Sequence, residues 1–526
     1  MQIAEHLWLK YQDYLWKKLT GLKFRLLVGF IVLILIALLG LIFEIRDKYS
    51  NLANESYENK AKAFGGVIFW LFVSIGALYS TLKKYRKSKE DIYYLVQEFA
   101  GGRTLFTHAR MMPKYRFPDL FCFLKSIAGG SDSWLMLKSQ HYESLQGIIA
   151  NNFFAPQNRR INAAEIKSWK VGHGRKEPIP QDVWLIMPES IDQACLIIRI
   201  RMDSQMNWSF LEVAAKDDQI ALAWLDKVDE YFRISSIYKH QTVQFGVSFS
   251  LVEVYGTPER SSQVFLDILD IPAVTDSDII LDHEIQVILE RCVVDFHNRR
   301  EELIRHGLSG RRGVIFYGPP GTGKTYTCRY LSGKMKDITT IVVAGNALTY
   351  PKQFCALAKT MQPALVLLED VDLVYGSRDR NFNVSALGDL MDELDGFGQT
   401  DKVIFILTTN SIDRVEEAIK DRPGRISQCV YFGQPDAGLR ERYLKSLLVP
   451  YHSEAVSLEL VIAETEGASQ AFLKELIYRA VQIASDGSIS PDDGKVVIRD
   501  AHLNEALSQI RKNSGKSGAT ILGFRA

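Results

Sequence analysis

The chain has 526 residues, 47% apolar and 24% charged, with a formal net charge of +1. That balance is globular rather than disordered, and the length suits about two or three domains. The near-zero charge argues against a nucleic-acid partner held by bulk electrostatics. Cysteines at 122, 195, 292, 328, 355 and 429 include no CxxC pair, which suits a reducing compartment and argues against a disulfide framework or zinc knuckle.

Residues 1–25 form a polar amino-terminal segment carrying five Lys or Arg. Eighteen uncharged residues, "LLVGFIVLILIALLGLIF", then lie between Arg25 and Glu44, and 20 more between Lys62 and Lys83. Each run can cross a hydrocarbon core of about 30 Å as a helix, because a helix pairs its own backbone groups. A signal peptide followed by a buried helix fits poorly, since no small-residue cleavage site follows the first run. Transmembrane helices are predicted at 26–45 and 63–82, joined by an external loop, 46–62, and followed by a basic segment, 83–98. Within that segment "KKYRKSK" has five positive charges in seven residues. Positive residues stay on the cytoplasmic side, so an integral membrane protein with its main body in the cytoplasm is expected. A mitochondrial inner membrane with the body in the matrix is the alternative. A lipid bilayer is thus the first expected partner.

Residues 99–275 read as an α+β substrate or adaptor domain. "ACLIIRIRM" (194–202) and "TVQFGVSFSLVEVY" (242–255) have the alternation of half-buried strands, and "QIALAWLDKVDEYF" (219–232) has helical spacing. "VGHGRKEPIPQD" (171–182) has the composition of a surface loop. Composition changes at "TPERSSQ", and "HEIQVILERCVVDFHNRREELIRHGL" (283–308) follows as an amphipathic helix. Its "HEIQV" misses the zinc-protease pattern because Val287 stands where a second histidine is needed.

"GVIFYGPPGTGKTYTCRYL" sets a strand, a glycine-rich loop and a helix in the order that phosphate binding requires. Gly318, Gly321 and Gly323 let the loop of Gly318, Pro319, Pro320, Gly321, Thr322 and Gly323 wrap phosphate, with the N–H groups of its non-proline residues turned inward. Lys324 would bridge the β- and γ-phosphates of ATP, and the Thr325 hydroxyl would complete a Mg²⁺ shell. A fortuitous glycine turn would not need the flanking strand and helix. A second strand, "ALVLLEDVD", ends in Glu369 and Asp370, the reverse of the common aspartate–glutamate order. Hydrolysis needs one carboxylate near the metal's water and one at the attacking water. Position gives Glu369 the metal side, acting on Mg²⁺ through water, and Asp370 the water side. A purely structural acid pair is disfavoured, because adjacent carboxylates repel without a cation.

From about 276 to 511 the residues resemble the AAA family of ring ATPases. The resemblance rests on "GPPGTGKT", "LGDLMDELDGFG" (387–398), "VIFILTTN" (403–410), "RVEEAIKDRPGRI" (414–426) and "TEGASQAFLKELIYRA" (465–480). The "LLEDVD" order is similar to a membrane-anchored subgroup that includes the mitochondrial chaperone translocating the Rieske iron–sulfur protein. The resemblance implies an α/β fold, a P-loop AAA module whose parallel sheet is flanked by helices. Its large subdomain would span 276–435 and its helical lid 436–511, before a tail, 512–526. It further implies that Asn410 contacts the γ-phosphate or attacking water, and that Gly467 and Ala468 lie near the adenine. Arg422 and Arg425 would reach a neighbouring subunit's nucleotide, so a homo-oligomeric ring, a hexamer or heptamer, is implied. No aromatic–apolar–glycine pore loop follows "ITTIVVAG" (338–345), and Tyr350 is the nearby aromatic. The function expected is a membrane-anchored ATP hydrolase that remodels, extracts or translocates an unidentified protein substrate. A nucleotide-controlled membrane scaffold or gate is the alternative.

Overall fold

The computed structural model describes Ile92, Val96 and residues 104–521, apart from 130–134, 141–143, 151–161, 188–195, 203–207, 255–256, 273, 376–382, 414–425, 454–455 and 487–494. The spans expected at 26–45 and 63–82, with Arg422 and Arg425, lie outside the described residues. Among the described residues, no helix is long and apolar enough to cross a membrane.

The first unit contains β1 (Phe106–Pro113), α1 (Phe117–Gly129), β2 (Leu135–Leu137), β3 (Asp182–Met187), β4 (Leu196–Met202), β5 (Trp208–Ala215) and α2 (Asp218–Ser235). Its five strands form an antiparallel sheet in the order β1-β5-β4-β3-β2. Strand β4 is buried on both faces rather than half-buried. Ile198 and Ile200 pack with Leu120 and Phe232 from the two helices, while Ile197 packs with Trp184 and Ile148 on the other side. Double coverage explains why "LIIRIRM" reads as a nearly continuous apolar run. The exception, Arg199, is fully buried, with bonds of 3.0 and 2.7 Å to Asp182 and 3.2 Å to Glu212. A guanidinium tolerates such a site only when paired this way.

The loop expected over 171–182 is instead largely a hairpin, Ile166–Gly172 against Arg175–Pro180. Gly174, at φ +62°, makes its turn. Pro178 and Pro180 fit because a two-stranded ribbon has an outer edge where a missing N–H costs little. At the unit's far end, buried Asp119 of α1 accepts from Ser236 Oγ at 2.6 Å and Ile237 N at 2.7 Å. These bonds tie α1 to the chain leaving α2.

That chain enters a seven-stranded sheet. Its strands are β6 (Thr242–Val254), β7 (Thr257–Ile268), β8 (Arg312–Tyr317), β9 (Thr339–Ala344), β10 (Ala364–Glu369), β11 (Val403–Thr409) and β12 (Gln428–Tyr431), ordered β7-β6-β9-β10-β11-β8-β12. All neighbours are parallel except the β6–β7 hairpin. The domain boundary expected at 275/276 is therefore crossed by the sheet. Thr242–Phe245 pair with Thr340–Val343 and bury Val243 and Phe245 beside Phe354. The polar "TPERSSQ" is part of β7, and edge strands are commonly polar.

Helices α3 (His283–Leu289) and α4 (Phe296–Arg305) flank a π-helical stretch, Glu290–Asp295, so the helix expected over 283–308 ends at Arg305. With α5 (Lys324–Lys334), α6 (Pro351–Thr360) and α7 (Asn383–Asp395), they cover the sheet's two apolar faces. The lid has a core of its own, built by α8 (Ala437–Leu448), α9 (Leu458–Glu464), α10 (Gln470–Ser485) and α11 (Asp500–Ile521). Helix α11 continues past the expected lid end at 511. Strands β10, β11 and β8 are neighbours, so their carboxyl ends bring Glu369, Thr409 and Tyr317 to one rim of the sheet. Open α/β sheets bind ligands at that rim.

Candidate active site

The segment after β8 is shaped by its glycines. Gly318 has φ +144°, and a Cβ there would lie 2.1 Å from the Phe432 carbonyl oxygen. Gly321, at φ +77°, faces the lid: a Cβ would meet the Ala471 methyl at 2.8 Å, and Ala471 N donates to Gly321 O at 3.1 Å. Thr322 Oγ1 donates to Pro319 O at 2.9 Å and braces the bend that Pro319 and Pro320 begin. Gly323, at φ +90°, precedes α5, and no side chain caps that helix. The first N–H groups of α5 are thus left to an acceptor outside the helix, the arrangement that binds phosphate.

Lys324 is buried at the head of α5. Its ammonium donates to Gly318 O at 2.8 Å, Pro319 O at 2.9 Å and Asn410 Oδ1 at 2.9 Å, which accounts for all three of its protons. Burial lowers its pKa, and the charges of Asp370 and Asp372 oppose that effect. One cavity of about 770 Å³ is lined by Lys324, Thr325, Asp370 and Asn410 together with lid residues. The two acids part company here. Asp370 faces this cavity, whereas Glu369 faces a second one of about 520 Å³ beside Arg329. Glu369 accepts a hydrogen bond from the Thr325 side chain. Burial raises the Glu369 pKa, and the Arg329 cation opposes it.

Asp370 has φ +50°, in the left-handed region that aspartate and asparagine tolerate better than most residues. Its N–H donates to Thr408 Oγ1 at 3.0 Å, and its Oδ1 stands 3.5 Å from Asn410 Nδ2. Side chains from the head of α5 and from the residues just after β10 and β11 therefore converge within hydrogen-bonding reach. The oxygen-rich pair of Thr325 and Glu369 fits a hard cation such as Mg²⁺, which takes few protein ligands and keeps its waters. No cluster of three or more His, Cys, Asp or Glu able to hold a metal occurs among the described residues.

Gly467 and Ala468 do not line the cavity. Gly467, at φ +73°, makes the turn before α10, and Ala468 is buried in the lid core. Gln470, Ala471 and Lys474, on the first turns of α10, line it instead. The available signal was Ser469, which caps α10 by accepting from Phe472 N at 3.3 Å, so the residues just after it occupy the helix end nearest the phosphate loop. Tyr326, inside the phosphate-loop motif, and Asp278 and Tyr443, outside the motifs singled out from sequence, also line the cavity. Asp372, inside "ALVLLEDVD", does not line the cavity. Tyr350 precedes α6 and packs against the core around Phe354. Val287 is exposed on α3.

A model of the ATPase family associated with various cellular activities (AAA) matches residues 314–434. The chain is 29% identical over 250 residues to the ATP-dependent zinc metalloprotease FtsH 2 of Thermoanaerobacter sp. (strain X514), covering 44% of this chain and 46% of that protein. It is 28% identical over 311 residues to the proteasome-activating nucleotidase of Saccharolobus solfataricus, covering 54% and 76%. To the human ATPase family gene 2 protein homolog A it is 27% identical over 260 residues, covering 46% and 28%. The chain thus spans under half the length of the first and third of these relatives.

Proposed function

We propose, from the premise that residues 314–434 carry an AAA ATPase domain and that such a domain is an ATP hydrolase, that this chain couples Mg-ATP hydrolysis to the movement or remodelling of a protein partner. The observation that carries this reading is the Lys324 ammonium, held between the phosphate loop and Asn410 in the cavity that Asp370 lines. The backbone of residues 318–323 and the uncapped start of α5 hold the phosphates, and Lys324 balances their charge. Magnesium, when bound, would supply charge neutralisation at the phosphates. Thr325 and Glu369 would hold it, Glu369 acting through water. Asp370 accepts the proton of the attacking water on a carboxylate oxygen, and Asn410 orients that water or the γ-phosphoryl group. Arg422 and Arg425 complete a neighbouring subunit's site, in a ring of six or seven copies, by stabilising charge on the transferring group. Residues 26–45 and 63–82 anchor the ring in a bilayer, by their apolar length.

The remodelling partner is assigned to the unit ahead of the ATPase sheet. Chain continuity supports this assignment, because the segment leaving α2 runs into β6, which pairs with β9 in the sheet bearing the two acids. The relatives' names point the same way for those proteins, one being a proteasome-activating nucleotidase and another an ATP-dependent protease. Capture on the Asp370→Asn form, with ATP bound, is the test. A membrane-associated protein should co-purify with it and dissociate from the wild type upon ATP addition. Turnover by the wild type with no partner retained by the variant would remove the remodelling step.

A second reading is favoured by Tyr350, which is partly buried and packs against the core. On that reading the ring is a nucleotide-controlled scaffold or gate. Substituting Tyr350 separates the two: loss of partner release with ring assembly intact supports threading, and unchanged release supports the scaffold.

A further inference from the structure

We infer that Asp372 is a positioning residue for hydrolysis, a buried carboxylate that fixes Asn410 and, through it, Lys324. The inference rests on the proposed role of Asn410. Asp372 lies in the one-turn helix Val371–Tyr375, two residues beyond Asp370. It is buried, and its Oδ1 accepts from both Thr409 Oγ1 at 2.8 Å and Asn410 N at 3.0 Å. The same Thr409 hydroxyl also accepts from Ser411 N at 3.0 Å. The end of β11 is therefore pinned to the turn after β10 at one oxygen atom. From that pinned backbone the Asn410 side chain reaches Lys324 at 2.9 Å and Asp370 at 3.5 Å.

A residue that leaves a β-strand has two free backbone torsions, and a small rotation there moves a side-chain tip by about 1 Å. Asp372 removes that freedom by holding the N–H of the residue whose side chain must be placed. Its carboxylate does not line the cavity that Asp370 and Asn410 line, so it acts through Asn410 rather than on phosphate or water. A buried carboxylate also needs donors, and Thr409 Oγ1 and Asn410 N supply two.

The test is a double-mutant cycle on the full chain, reading steady-state kcat and ATP affinity together. Asp372→Ala should lower kcat by about 10- to 100-fold while moving ATP affinity by less than about threefold. On an Asn410→Ala background the same substitution should cost nothing further. Asp372→Asn keeps an oxygen in the accepting position and should recover most of the lost turnover. An equal additional loss on the Asn410→Ala background would overturn the inference, since the effect would then bypass Asn410. So would turnover unchanged by Asp372→Ala where Asn410→Ala abolishes it. If Asn410→Ala itself turns over normally, the proposed role of Asn410 fails instead. Should Asp372→Ala not fold, Thr409→Val runs the same cycle: a loss confined to the wild-type background supports the clamp, and no loss refutes it.

Discussion

Asp370→Asn isolates charge from shape. The backbone at Asp370 stands at φ +50°, which asparagine adopts as readily as aspartate. The bond from its N–H to Thr408 Oγ1 does not involve the side chain. Folding stability should therefore change by less than about 0.5 kcal/mol, whereas Asp370→Ala would add about 1 kcal/mol of backbone strain. What the amide loses is the ability to take a proton from water. General-base catalysis contributes about 10²- to 10⁴-fold, or about 2.7 to 5.5 kcal/mol at 1.36 kcal/mol per tenfold. Phosphate release should fall by that factor, with ATP binding at least as tight because a negative charge has left the phosphate pocket. The assays are steady-state phosphate release, equilibrium binding of a fluorescent ATP analogue, and thermal melting to verify the fold. Turnover within threefold of wild type, on a protein that melts normally, would refute the assignment of Asp370 to the water side.

Lys324→Ala removes the donor to Gly318 O, Pro319 O and Asn410 Oδ1 together with the charge. Charge-assisted hydrogen bonds contribute about 1.5–3 kcal/mol each, so ATP affinity should fall by at least about 100-fold in calorimetry. Arg425→Ala should leave ATP affinity unchanged and abolish turnover, and mixing it with Asp370→Asn subunits should restore partial turnover if the arginine acts across subunits. Burial pushes the Asp119 carboxyl up from 3.8 to about 6, against the bonds from Ser236 and Ile237. A raised carboxyl gives stability that is full below pH 3.8 and is lost as pH rises through about 6. That loss is about 3 kcal/mol at 1.36 kcal/mol per pH unit. Asp119→Asn should therefore show a flatter melting profile than wild type between pH 4 and 6, and parallel profiles would contradict the assignment.

The ATPase sheet was legible because each of its motifs couples an apolar strand to a short polar terminus. "VIFY", "ALVLL" and "VIFILTT" all became strands at their expected places, β8, β10 and β11. The hairpin β6–β7 was half legible. Its first strand alternates, while its second begins with polar residues, since an edge strand gains nothing from a second apolar face. Loop composition misled over 171–182, where Pro178 and Pro180 sit at a ribbon's margin rather than in a loop. At the site, motif spacing located Lys324, Glu369, Asp370 and Asn410. It could not show that Glu369 and Asp370 face different cavities, because that follows from strand alternation combined with the left-handed turn at Asp370. The lid residues that line the cavity include Gln470 and Ala471, three positions after Gly467 and Ala468. A glycine–alanine pair looks alike in a turn and in a nucleotide contact. Only the Ser469 cap distinguishes where α10 begins.

A carboxylate pair in glutamate–aspartate order, Glu369 then Asp370, should support hydrolysis. Steady-state phosphate release by the full chain, reconstituted in lipid vesicles with and without Mg²⁺, measures it directly. Release should be saturable and Mg²⁺-dependent, and should disappear in Lys324→Ala. Tight Mg-ATP binding without release, at protein concentrations where rings have formed, would contradict it.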